Sequence, residues 1–191
     1  MRKNSFLRRH IITPCECITS QFPDQSRVLS PSTLAFPCLL HDIGTAPSNL
    51  RSSFLSFEFP GSILALNLLQ NSESTNGAAA CPRPQAESVA EAILRHQDIG
   101  ARGAVTFLTQ LLPLATIYDN VSTRPGAEAP VPVHKVTRRS VDAVWPRTAW
   151  AGCFAATVRE EVRRKPWATT TRLGAKEFAL AMEAHGRKVN S

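Results

Sequence analysis

The stretch from Gln85 to Gln97 constrains the fold most tightly. Its apolar residues Ala86, Val89, Ala90, Ile93 and Leu94 fall at the i, i+3, i+4, i+7 spacing of one helix face. On that period His96 continues the stripe of Val89 and Ile93, so an imidazole is expected to point inward. Three further stretches read as helical: Phe54 to Gln70, Ala104 to Asn120, and Trp150 to Arg164. Few runs alternate apolar and polar residues as a half-buried strand would, and neither a repeat nor a glycine-rich phosphate loop is present. The expected fold class is all-α.

The segment Leu39 to Thr45, LLHDIGT, places His41 beside Asp42 at the end of another helical segment. Ser30-Pro31 is a helix start, since serine caps and proline suits the first helical position. The helix that follows carries Leu34, Cys38 and His41 on one face, with Pro37 expected to kink it and Gly44 to terminate it. In Phe54 to Gln70 the apolar residues singled out are Phe57, Leu64 and Leu68, with Pro60-Gly61 expected as an interruption. Asn71 to Pro84 and Ser122 to Pro132 read as loops, Val136 to Val144 as a short helix, and the stretch from Lys176 as a peripheral one. Ala104 to Asn120 puts Leu108, Leu112, Ala115 and Asp119 on one face, with Pro113 again inside a helix. Trp150, Phe154, Thr157 and Val158 are expected to face inward in the last long helix.

With 191 residues, 43% of them hydrophobic, the chain suits one globular domain. Its apolar runs are shorter than the roughly 20 residues that span a bilayer. The basic stretch Met1 to Pro14 leaves an organellar presequence open, but the expectation is a cytoplasmic protein without a membrane partner. Five cysteines at irregular spacing, with no paired CxxC units, favour reduced thiols. The net charge of +7 comes from short clusters such as Arg8-Arg9, Arg138-Arg139 and Arg163 to Lys165. Lacking a nucleic-acid-binding motif, these read as a solvated surface, and no nucleic-acid partner is expected.

Three helices thus end, or nearly end, in inward polar groups: His41 with Asp42, His96, and Asp119. Imidazole nitrogen and carboxylate oxygen suit one divalent cation. The same residues could instead be hydrogen-bonded core histidines and a capping aspartate. The residues alone leave both readings standing.

In LLHDIGT, SFEFPGSILALNLLQ, QAESVAEAILRHQDIG, QLLPLATIYDNV and FAATVREEVRRKPWATTTRLG the chain resembles HD-domain proteins, specifically the cyanamide hydratase group. The resemblance covers most of Gln21 to Gly174. It implies an HD-domain-like helical bundle around a single metal site, zinc or another divalent cation. It implies His41, Asp42 and Asp119 as ligands, His96 as proton donor or orienter on the substrate side, and Glu58 as a partner that fixes ligand orientation. The implied reaction is zinc-dependent hydration of cyanamide to urea, a metal-activated hydroxide adding to the carbon of a small nitrile. The implied organisation is an N-terminal segment over residues 1–27, a metal-dependent domain over 28–174 and a peripheral segment over 175–191. A homo-oligomer is left open.

The chain also departs from the family pattern. The family's first histidine ligand has no counterpart: its spacing falls near Phe6, where Asn4-Ser5-Phe6 stands, and His10 is out of register. The family's histidine in the KPWAHTT motif is here Thr169. Two alternatives follow: a catalytically degenerate copy that keeps the fold without metal, and an HD-type nucleotide phosphohydrolase. The family-specific segments speak against the second.

Overall fold

A computed structural model describes residues 15–16, 18–71, 80–98, 103–121 and 150–173. Among them every regular element is helical, so the fold is all-α. The longer helices are α1 (Pro31–Leu40), α2 (Pro47–Ser52), α3 (Glu58–Gln70), α4 (Arg83–Arg95), α5 (Phe107–Val121) and α6 (Trp150–Arg164). Helix α3 packs on α4 and α4 on α5, with α1 lying against both α4 and α5. The expected loop at 122–132, the short helix at 136–144 and the peripheral stretch from Lys176 lie outside the described residues.

Helix α1 starts as its sequence dictates. Ser30 caps it by accepting from the Thr33 N–H at 3.1 Å, and Pro31 takes the first helical position, where no donor is missed. Pro37 removes one donor inside the helix without ending it, and the His41 N–H closes the helix on the Pro37 carbonyl at 2.9 Å. Pro113 is likewise contained within α5.

The reading of Pro60-Gly61 as an interruption is overturned. Pro60 is the third residue of α3, where the backbone N–H lacks an intrahelical acceptor in any helix, and Gly61 N–H makes the first bond, to Phe57 O at 2.9 Å. On the buried face of α3 Gly61, Ala65 and Leu69 point in, while Leu64 and Leu68, singled out as apolar in the sequence, keep 36% and 41% exposure. Helix α3 is apolar nearly all round, so periodicity could not choose its inner side. Close approach chose it, because a Cβ on Gly61 would stand 3.3 Å from Gly44 N.

Gly44 does not terminate α1, which ends at Leu40. It sits in a 3₁₀ turn, Ile43–Thr45, and its Cα meets the Phe57 peptide so closely that an added Cβ would lie 2.0 Å from Phe57 O. The turn bearing His41-Asp42 is thereby pressed against the start of α3.

The core joins Cys38 of α1, Ala65 and Leu69 of α3, Ala86, Val89, Ala92 and Ile93 of α4, and Leu108, Leu111, Leu112 and Ala115 of α5. Cys15 and Ile18 are buried in it too, so the described core begins before residue 28. Among the described residues Cys15, Cys38, Cys81 and Cys153 take part in no disulfide, and Cys38 Sγ lies 3.1 Å from Cys15 Sγ. In α6 the inward residues are Ala155, Val158 and Glu161, whereas Phe154 and Thr157 are only half-buried. Among the described residues no helix is long and apolar enough to cross a membrane.

Candidate metal centre

His41 and His96 arrive from different helices at the same kind of position. Each is the residue that closes its helix, α1 or α4, and each is buried. Each ring also turns its Nδ1 back to the carbonyl three residues earlier: His41 to Cys38 O at 3.2 Å, His96 to Ile93 O at 2.6 Å. A carbonyl oxygen only accepts, so both Nδ1 atoms carry the proton and both Nε2 atoms face away from the helix ends. The rings meet edge to face with centroids 5.4 Å apart.

Both Nε2 atoms face Asp42. His41 Nε2 lies 3.2 Å from Asp42 Oδ2, and His96 Nε2 lies 4.0 Å from Asp42 Oδ1. The Asp42 side chain retains 15% exposure, against 6% and 5% for the two histidines. Two imidazole lone pairs directed at a carboxylate repel unless a proton or a cation stands between them. Burial disfavours a charged His41, but the charge of Asp42 and its hydrogen bond outweigh that and raise the His41 pKa above its ordinary value. Asp42 is pushed up by burial but held below the usual carboxylate range, chiefly by His41. Burial and the neighbouring His41 lower His96, so His96 is the neutral imidazole of the pair.

The donor set suits a divalent cation in kind. Two ligands of a tetrahedral zinc, each roughly 2.0–2.1 Å from it, stand about 3.3 Å apart. The His41–Asp42 separation of 3.2 Å matches that edge. Among the described residues, however, no group of three His, Cys, Asp or Glu side chains is arranged to hold a metal ion. Asp119 falls in α5 one turn after the buried Ala115, and its side chain lies outside the described residues.

Glu58 opens α3 and is 1% exposed. Its Oε2 accepts from Ser56 Oγ at 2.7 Å, while Oε1 has no partner among the described residues. Its charge is felt at His96, and the adjacent Phe57 ring packs on the His96 ring at 5.5 Å. Thr169 donates its backbone N–H to Ser56 Oγ at 3.0 Å, so it touches the group that holds Glu58. Sequence reasoning missed Phe57 as the wall beside His96, and it missed Ser56. The available signal was the SFEF segment itself, in which three consecutive residues turn out to be buried.

An all-α bundle with two buried imidazoles and a carboxylate at its helix ends is the class that fold and site define. No family model matches the chain. Two cyanamide hydratases of Saccharomyces cerevisiae (strain ATCC 204508 / S288c), DDI2 and DDI3, are each 38% identical to it over 157 residues, which is 82% of this chain. That match spans 64% of each relative's length.

Proposed function

We propose that this chain hydrates cyanamide, or a nitrile of similar size, at an HD-type centre in which His41, Asp42 and Asp119 hold zinc or another divalent cation. The supporting observation is the convergence of two imidazole Nε2 atoms on the Asp42 carboxylate, in a chain similar to two cyanamide hydratases. The cation supplies Lewis acidity, which makes water nucleophilic near neutral pH.

The chain's own groups do the rest. His96 is neutral, with Nδ1–H committed to Ile93 O, so its Nε2 is an acceptor in the resting state. It takes a proton from the water that attacks the nitrile carbon, and the imidazolium then returns that proton to the nitrile nitrogen. Asp42 faces His96 Nε2 and steadies the transient positive charge. Carbon gains the hydroxyl and nitrogen the proton, giving an isourea that tautomerises to urea. His96 is thus suited to accept a proton before it donates one. Glu58, held by Ser56, adds to the electrostatic support of that positive charge.

A second reading is a copy that keeps the fold without metal. The observation favouring it is the His41–Asp42 pair itself, since a proton between those groups satisfies both without a cation. Metal analysis of purified protein alongside urea release from cyanamide separates the two. Hydration predicts bound zinc and urea, both lost in His41→Ala. Bound zinc without urea sinks the hydration reading, and neither zinc nor urea favours the degenerate copy.

A further inference from the structure

A buried pair of opposite charges lies apart from His41, Asp42 and His96. Glu161 and Lys165, one turn apart at the end of α6, are 1% and 2% exposed, with Lys165 Nζ 3.7 Å from Glu161 Oε1. Burying both charges for a contact that long is costly, so the pair calls for another explanation than its own attraction.

Both residues are committed to the irregular segment ahead of α3. Glu161 Oε1 accepts from Phe57 N–H at 2.8 Å, and Lys165 Nζ donates to Leu55 O at 2.7 Å. Thr170 Oγ1 donates to Glu161 Oε2 at 2.6 Å, fixing the carboxylate from its other side. Trp167 Nε1 donates to Phe54 O at 2.9 Å, and Thr169 N–H reaches Ser56 Oγ at 3.0 Å. Phe54, Leu55, Ser56 and Phe57 are therefore each held from a part of the chain more than 100 residues later. Residues 53–57 lie outside any helix, so their backbone groups find partners elsewhere, and those of the buried Ser56 and Phe57 need them. What the segment delivers is the wall of the centre: Phe57 packs on His96, Phe57 O meets Gly44, and Ser56 holds Glu58 with one oxygen uncommitted.

We infer that Glu161, braced by Lys165 and Thr170, is a positioning residue that sets Phe57 against His96 and Glu58 beside it. For catalysis this rests on the proposed hydration, but the placement of the His96 ring can be read without it. The phenyl ring of Phe57 shifts the proton resonances of the His96 imidazole, and five histidines give a spectrum simple enough to follow one ring.

The test compares Glu161→Ala, Glu161→Gln and Thr170→Val in the full chain, with Glu160→Gln, on the Arg51-facing side of α6, as control. Glutamine keeps an oxygen for the Phe57 N–H, and valine removes only the hydroxyl that braces the carboxylate. Glu161→Ala is expected to move the His96 resonances and to lower kcat for urea release about 10- to 100-fold, with a much smaller change in KM. Glu161→Gln should restore both, Thr170→Val should show a smaller resonance shift, and Glu160→Gln should change neither. The inference is overturned if Glu161→Ala and Thr170→Val leave the His96 resonances in place. It is equally overturned if Glu161→Gln falls as far as Glu161→Ala, or if the resonances move while kcat does not. Should Glu161→Ala fail to fold, Thr170→Val decides. Should the wild-type chain release no urea, the hydration reading fails and the resonances alone decide the role of Glu161.

Discussion

Replacing Gly44 by alanine puts a single methyl group where the fold has no room. Its Cβ would lie 2.0 Å from Phe57 O and 2.9 Å from Phe57 C, both backbone atoms that cannot rotate away. To reach even 3.0 Å, the turn after His41-Asp42 and Phe57 must part by about 1 Å, and Phe57 O is already tied to the first turn of α3 by the Gly61 N–H. Overpacking of this kind costs roughly 1–3 kcal/mol and occasionally more. A backbone-to-backbone collision belongs at the upper end of that range. For a chain of this size each kcal/mol moves Tm by about 2–4 °C, so a drop of roughly 6–12 °C is expected. Gly152 is the matched control: it lies exposed inside α6 with nothing within 4 Å of its added Cβ. There alanine should raise stability by about 1 kcal/mol, because glycine is the poorer helix former. Thermal melts followed by circular dichroism measure both. A Gly44→Ala chain melting at or above the wild-type temperature would refute the claim that this contact joins the two halves of the centre.

Other outcomes follow from the same geometry. In metal-free protein the His41–Asp42 contribution should be complete below the ordinary histidine pKa and disappear as pH rises through the raised value in the folded state. Denaturant unfolding across pH should show that decline in the wild type and lose it in His41→Gln; an unchanged profile would count against the pair. Zinc, if it takes the place of the His41 proton, should bind more weakly as pH falls, which calorimetric titration measures. Ser30→Ala removes the cap of α1, whose oxygen also sits within reach of the Thr33 hydroxyl and the Gln85 amide, and should cost about 1 kcal/mol by urea denaturation.

Local rules carried far in this chain. The Ser30-Pro31 start, the inward direction of His96 and the bounds of α6 follow from short-range chemistry: a capping hydroxyl, a proline at a position without a required donor, and a 3.6-residue period. His41 at the close of α1 was legible for the same reason. Local rules failed in α3, which is apolar on nearly every side and so has no period to read. There the small side chains of Gly61 and Ala65, and the groove they leave for the Gly44 turn, chose the buried face.

The sequence by itself determined the helical class and the polar residues that close the helices, because capping, periodicity and proline chemistry act over a few residues. Only the tertiary structure decided that His41, Asp42 and His96 share one centre, with both rings tied by Nδ1 to their own helix carbonyls. It alone brought Glu161, Lys165, Trp167 and Thr169 onto the segment before α3. Those pairings join residues more than 50 or 100 positions apart, and no local energy term specifies them. They arise when packing buries polar groups that must then find partners wherever the fold supplies them.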